Sequence, residues 1–254
     1  MLHDDWKDRF ISKNSDSLIT TSEKLKKSLL EIGVPSEKAL VVYGGVNLAD
    51  FGNVDSSATK KKYGIPTDKV LIGYIGLFRT MGMEKGIDIM IRSLKFLNQD
   101  TLMVFVGGKK NEVSAYETLA GEIGVRNQCI FIEKIPDQKE IFNIEQAMNV
   151  LVIPYPDRPH FRNYGFPMKV YEYMAAEKPI VYSKLDLTEE ILKDCGFTFV
   201  PDSEVSLADT IKYVISEENL GEVSEKATLA YEKLKEFTWE NKARKIIEFL
   251  QRNG

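Results

Sequence analysis

Between residues 70 and 200, short unbroken apolar runs alternate with segments of helical period, and this alternation restricts the fold more than any other feature of the chain. Val70–Ile75 is a continuous apolar stretch ending at Gly76, and comparable runs lie at 102–106, 129–132, 150–153, 180–182 and 197–200. After the first run, Ile87, Met90, Ile91 and Leu94 fall at i, i+3, i+4 and i+7, one face of a helix expected to start near Lys85. A second helix is expected through Tyr116 and Leu119. Asp137 with Glu140 three residues on resembles a capping box, opening a third with Ile141, Ile144 and Met148 on one side. Further helices are expected at 167–176 and 187–192, and the chain beyond residue 200 reads as helical. Strands apolar at every position are buried on both faces, and their alternation with helices implies a parallel sheet covered on both sides. The expected fold is an α/β, doubly wound parallel sheet with extra C-terminal helices.

The first 47 residues carry less. Residues 18–21 form a β-type run. Ser22 is placed to cap a helix that carries Leu25, Leu29 and Ile32 and stops at Gly33. A run at 41–43 leads into the turn signal Gly44-Gly45, and residues 48–69, polar with several small side chains, read as a connecting segment.

Composition removes several classes of function. No apolar run approaches the roughly 18–20 residues that span a bilayer, and residues 1–10 do not read as a signal peptide. The two cysteines, Cys129 and Cys195, form neither a disulfide framework nor a zinc knuckle, so a cytoplasmic location is expected. With only His3 and His160, a His-based metal site or hydrolase triad has almost nothing to be built from. The balance of 34 basic against 38 acidic residues argues against a nucleic-acid partner. No Gly-x-Gly-x-x-Gly follows any strand, which disfavours dinucleotide redox chemistry.

In doubly wound folds, ligands bind outside the carboxyl ends of the strands, so the loops after Ile75, Val106, Ile132 and Ile153 rank first. The stretch 157–176 (DRPHFRNYGFPMKVYEYMAA) holds Gly165, which permits close backbone approach, and Pro167 where a first helical residue would sit. The amides of Met168 and Lys169 would then be free donors at the positive end of a helix, suited to phosphate. Glu172, about a turn on, can accept hydrogen bonds from a vicinal diol such as a ribose. Lys169 and Glu172 are also spaced as an ordinary surface ion pair. The loop 76–86 (GLFRTMGMEKG) is glycine-rich and carries Arg79 and Lys85, a fork and a point charge suited to a diphosphate. Read alone, it is equally a glycine-rich turn with exposed cations.

Taken together, these loops resemble the donor-binding, C-terminal domain of GT-B fold glycosyltransferases of the family-4, group-1 kind, a Rossmann-like domain. SDSLITTSEKLKKSL (15–29) looks like the last strand–helix unit before the interdomain connection, and VVYGGVNLADF (41–51) like the connection. GLFRTMGMEKG resembles the phosphate loop and FVGG (105–108) the next glycine turn. FPMKVYEYMAAEKPIV (166–181) resembles the signature helix and strand, and FTWENKARKIIEFL (237–250) the terminal helix.

The resemblance implies that Glu172 holds the ribose and that Arg79 and Lys85 neutralise the leaving diphosphate, these three being the catalytic set. It implies donor contacts from Gly76, Tyr164, Gly165, Phe166, Pro167, Met168 and Lys169, with Lys134 and Ile135 meeting the base. Two departures stand out: many members have a second glutamate where this chain has Tyr164, and the Arg79–Lys85 spacing is about one residue longer than in the family.

The implied organisation is 1–47 as a remnant of the N-terminal domain with the connection, 48–236 as the nucleotide-sugar domain, and 237–254 as a terminal helix packing back on the N-terminal segment. About 47 residues are too few for an acceptor domain. His160, in the sugar-facing loop, reads as a solvated loop histidine. The leading expectation is a hexosyltransferase using a nucleotide-diphosphate sugar with retention, no metal and no cofactor. Its acceptor would be presented by a partner polypeptide or a membrane. The alternative is a non-catalytic nucleotide-sugar-binding subunit that needs a separate acceptor-domain partner. A GT-B nucleotide-sugar epimerase is a third reading, disfavoured by the few acids and bases available around the sugar.

Overall fold

The computed structural model describes residues 6–52, 56–164 and 168–253. The N-terminal part comprises α1 (Trp6–Asn14), β1 (Leu18–Thr20), α2 (Glu23–Glu31) and β2 (Ala39–Val41). Strands β1 and β2 pair in parallel as a two-stranded sheet of their own. Ser22 caps α2 as expected, accepting from the Leu25 amide. A carboxylate from the main domain adds to that cap: Glu190 accepts from the amides of Glu23 (3.0 Å) and Lys24 (3.2 Å).

The remaining elements are α3 (Ser56–Tyr63), β3 (Val70–Ile75), β4 (Arg79–Thr80), β5 (Met83–Glu84), α4 (Ile87–Ser93), β6 (Thr101–Gly108), α5 (Lys110–Glu122), β7 (Cys129–Glu133), α6 (Gln138–Ala147), β8 (Val150–Ile153), α7 (Pro159–Asn163), α8 (Lys169–Ala175), β9 (Ile180–Ser183), α9 (Asp186–Leu192), β10 (Phe197–Phe199), α10 (Glu204–Ile215), α11 (Leu220–Leu234) and α12 (Trp239–Asn253). Six strands form one parallel sheet in the order β10-β9-β8-β3-β6-β7. The expected doubly wound sheet is therefore present.

Side-chain alternation along each strand divides the core into two layers. Leu71, Ile75, Val104, Val106, Leu151 and Ile153 face one side, against α6, α8, α9 and α11. Ile72, Tyr74, Met103, Phe105, Val150 and Val152 face the other, against α4, α5 and α10. Each face buries apolar area at roughly 25 cal/mol per Å², which is why the strands tolerate no polar alternation.

Three expectations change. The connecting segment 48–69 contains a helix, α3, which packs on α6, with Lys62 paired to Glu140. Because Glu140 makes that pair, Asp137 caps α6 without the expected box, accepting from the Lys139 amide at 2.9 Å. The phosphate-loop stretch folds into a small antiparallel hairpin, β4–β5, and α4 starts at Ile87 rather than at Lys85.

The connection at 44–45 docks on α8, where the Gly44 amide donates to the Tyr171 hydroxyl at 3.0 Å. The chain then returns: Val46 exchanges backbone hydrogen bonds with Phe237 (2.9 Å) and Trp239 (3.1 Å) at the entry to α12. At the far end of α12, Asn253 donates to the Glu37 carbonyl at 3.3 Å. No side chain of α12 is buried, and Trp239, Ile247 and Leu250 are exposed, as are Trp6, Phe10 and Ile11 of α1. Both cysteines are free and buried. No helix among the described residues is long and apolar enough to cross a membrane.

Candidate functional site

From β3 the chain winds first outward through β6 and β7, then returns to the other side of β3 for β8, β9 and β10. The gap between the carboxyl ends of β3 and β8 is thus the topological switch point, where open α/β sheets bind ligands. A cavity of about 450 Å³ opens there. Ile75, Gly76, Leu77 and Thr80 line it from the β3 side, and Tyr155, His160 and Phe161 from the β8 side. Lys85, Met168, Lys169 and Glu172 complete its wall.

Among the expected site residues, the structure brings Gly76, Lys85, Met168, Lys169 and Glu172 to this one cavity. Arg79 is exposed in β4, paired with Glu84 across the hairpin and outside the lining. Lys134 and Ile135 do not line it either: Ile135 is core, and the Lys134 amide donates to the Gly108 carbonyl at 3.1 Å. Tyr164 ends α7, its amide bonded to the His160 carbonyl at 2.9 Å. Gly165, Phe166 and Pro167 lie outside the described residues.

Lys85 reaches the cavity because Gly86 turns the chain behind it. Gly86 has φ +82°, and a Cβ there would stand 1.8 Å from the Pro154 carbonyl oxygen, so the loop after β3 presses on the loop after β8. The Lys85 ammonium lies 5.8 Å from the Tyr155 ring centroid, and no ion pair to a carboxylate is seen for it among the described residues. Burial lowers its pKa. Such an unpaired, partly desolvated cation favours an incoming anion.

Glu172 is half-buried and held in place by Gln138, whose amide nitrogen donates to Oε1 at 3.0 Å. It also borders a smaller recess of about 150 Å³ with Gln138, Phe51, Phe142 and Trp239. One carboxylate oxygen is fixed by the protein, and the other can serve a ligand.

Lys169 departs from the surface-pair reading. It is 8% exposed, so it makes no surface pair with Glu172, and its ammonium donates to the Ile75 carbonyl at 2.7 Å. The ring centroid of Tyr74 lies 3.8 Å away. Beneath it, Tyr173 donates and accepts at the Ile75 backbone, 2.9 Å from the nitrogen and 3.3 Å from the oxygen.

Sequence reasoning also missed Thr80, Tyr155 and Phe161 in the wall, Gln138 as the holder of Glu172, and Glu145. His160 is half-buried against the Phe161 ring rather than a solvated loop residue. Glu145 stands four residues after Ile141 on the apolar stripe of α6, a position that could have marked it as a buried acid. Its Oε1 has no hydrogen-bond partner among the described residues, and burial raises its pKa well above the carboxylate range, with Glu172 adding to the rise.

This gives a stability prediction. The unfolded chain loses the Glu145 proton near the usual carboxylate pKa, whereas the folded chain keeps it, so the protonated-state advantage is lost as pH rises through that window. Between pH 5 and 6.5, Glu145 is expected to make stability fall by roughly 1 kcal/mol per pH unit. Urea titrations of Glu145→Leu should lack that component of the slope. An unchanged slope would mean that Glu145 is ionised in the folded protein.

An open parallel sheet thus gathers cations and a carboxylate at its switch point, where α/β domains of this kind take ligands. The chain belongs to the family of glycosyl transferases group 1, whose model matches residues 55–231. A D-inositol 3-phosphate glycosyltransferase of Xylanimonas cellulosilytica is 23% identical over 92% of this chain and 56% of its own length. The chain thus spans little more than half of that relative. Two solved structures share the fold: a glycosyltransferase from Rickettsia africae (TM-score 0.80, 18% identity, 98% of this chain and 67% of that one), and Anabaena HepE in complex with UDP (TM-score 0.80, 19% identity, 98% and 69%). Such neighbours are GT-B glycosyltransferases.

Proposed function

We propose that this chain provides the nucleotide-sugar site of a hexosyltransferase and that the switch-point cavity receives the diphosphate and ribose of the donor. The supporting observation is the meeting of Lys85, with no carboxylate partner among the described residues, and Glu172, oriented by Gln138, in one cavity. Family membership and the UDP bound by HepE point the same way. Lys85 and Lys169 meet the charge of the diphosphate, so the reading requires no metal ion. Glu172 accepts from the ribose hydroxyls. In a retaining reaction the acceptor hydroxyl attacks on the face the diphosphate leaves, and the departing phosphate oxygen takes its proton. The protein's contribution is then to stabilise that leaving charge and to align the reactants. Arg79 joins the phosphates only if its pair with Glu84 opens. Gly76, Met168 and Tyr164 meet the distal phosphate and sugar, and backbone groups of Lys134 and Ile135, beside the cavity, meet the base.

A thermal-shift panel of UDP-, GDP-, ADP- and TDP-sugars tests the site. A donor at a hundred times its Kd should stabilise the chain by about 2.7 kcal/mol. Glu172→Ala is expected to lose roughly tenfold or more in affinity for the matching nucleotide while leaving binding of inorganic diphosphate unchanged. Equal loss for both ligands would remove Glu172 from the ribose.

A second reading, a binding subunit completed by a separate acceptor-domain polypeptide, is favoured by the exposed apolar side chains of α1 and α12. Donor hydrolysis or transfer by the purified chain alone would eliminate it. Activity that appears only with an added partner would establish it.

A further inference from the structure

Lys169 is the most enclosed cation of the cavity wall. Its ammonium has three N–H donors. Among the described residues, the acceptor seen for them is the Ile75 carbonyl at 2.7 Å. The Tyr74 ring lies 3.8 Å from the nitrogen on one side and the Tyr173 ring 5.8 Å on another. A Cβ on Gly76 would come 2.4 Å from this nitrogen, so the amine sits directly against the backbone at the end of β3, at the floor of the cavity.

Charged and titratable groups surround it from every packed element. Tyr74 comes from β3, Tyr173 and Glu172 from α8, and Glu145 from α6. Lys85 comes from the segment before α4, and Tyr155 and His160 from the stretch after β8. Desolvation is the largest influence and Lys85 adds to it, while Glu172 and Glu145 oppose; together they bring the Lys169 pKa down to about 7. Of the two, Glu145 opposes less, and burial favours its protonated form. The cavity wall therefore holds an amine whose burial favours the neutral form, with N–H donors that meet no other acceptor among the described residues.

We propose that the Lys169 amine is the innermost anion ligand of the cavity and that entry of a nucleoside diphosphate draws a proton from solvent onto it. The inference rests on reading the cavity as a nucleotide site. The phosphate charge offsets the repulsion from Lys85, and phosphate oxygens supply the acceptors that the buried ammonium lacks. When glycosyl transfer breaks the bond from the anomeric carbon to the diphosphate, the electron pair stays on the phosphate oxygen. The leaving group gains one negative charge, and the protonated Lys169 is already in place to meet it.

Calorimetry of UDP binding at pH 8, in two buffers of contrasting ionisation enthalpy, counts the protons exchanged. At pH 8 the terminal phosphate of UDP is already ionised, its pKa being about 6, so uptake reports on the protein. The wild-type chain is expected to take up most of one proton, about 0.5–0.9 per UDP. Lys169→Met should bind UDP roughly 10- to 100-fold more weakly, with no uptake. Lys169→Arg, charged at every pH, should bind without uptake. Because the site is buried, the melting temperature of each variant is recorded. Should Lys169→Met fail to fold, the wild-type count and Lys169→Arg still decide.

Binding without proton uptake in the wild type, or uptake undiminished in either variant, overturns the inference and leaves the nucleotide site standing. Failure of UDP, GDP, ADP and TDP alike to bind overturns the site and this inference together.

Discussion

Lys85→Met is expected to weaken nucleoside diphosphate binding by roughly 10- to 150-fold, the equivalent of one charge-assisted hydrogen bond of about 1.5–3 kcal/mol. The fold should be little affected. Lys85 is half-buried, makes no ion pair to a carboxylate among the described residues, and lies against the Tyr155 ring, where a methionine stem still packs. Calorimetry on the wild type and the variant measures the loss directly. An affinity within threefold of wild type would take Lys85 out of the phosphate site. The same titration on Arg79→Met separates the two cations of the loop. Arg79 already satisfies Glu84 and stands outside the cavity, so its loss is expected to cost less unless the hairpin opens to the ligand.

Gly86→Ala is expected to destabilise the chain by on the order of 3–5 kcal/mol. Two penalties combine: a left-handed backbone at φ +82°, and a Cβ placed 1.8 Å from the Pro154 carbonyl oxygen, which is backbone and cannot rotate away. Gly82→Ala provides the control. It has φ +77° but nothing within 4 Å of its added carbon, so only the backbone penalty of about 1–2 kcal/mol applies. Urea midpoints for both variants test the pair. Equal costs would mean that the loops after β3 and β8 part easily, and Lys85 would then lack a fixed place in the cavity.

The strands were the most legible elements. Val70–Ile75 and Val150–Ile153 occupy the residues their apolar runs define, because a strand buried on both faces needs apolar side chains at every position. Helix α4 was legible from Ile87, Met90 and Ile91, although its first turn shifted two residues when Gly86 took the left-handed conformation. Helix α3 was not legible. Its sequence, SSATKKKY, buries only Thr59, and it is held mainly by packing on α6. The β4–β5 hairpin is two residues a side, too short for any period to show.

Within the site, Lys85 and Glu172 were readable because residue type and loop position sufficed to place them. The resemblance places Lys169 at the donor, but the burial of its side chain is not legible, since helical spacing describes neighbours on a helix and not what lies above it. Gln138 and Glu145 come from α6, about thirty residues earlier in the chain, and nothing local connects them to α8.

The sequence by itself determined the layered α/β architecture and the family to which the chain belongs, because hydrophobic period and motif order are local properties written along the chain. The tertiary structure alone decided which cations are free and which are spent. It left Lys85 with no carboxylate partner among the described residues, committed Arg79 to Glu84, and sank Lys169 beneath the end of β3. The physical reason is that the energy of a charge depends on the solvent and the dipoles around it, and these are set by residues distant in sequence that meet only when the sheet closes.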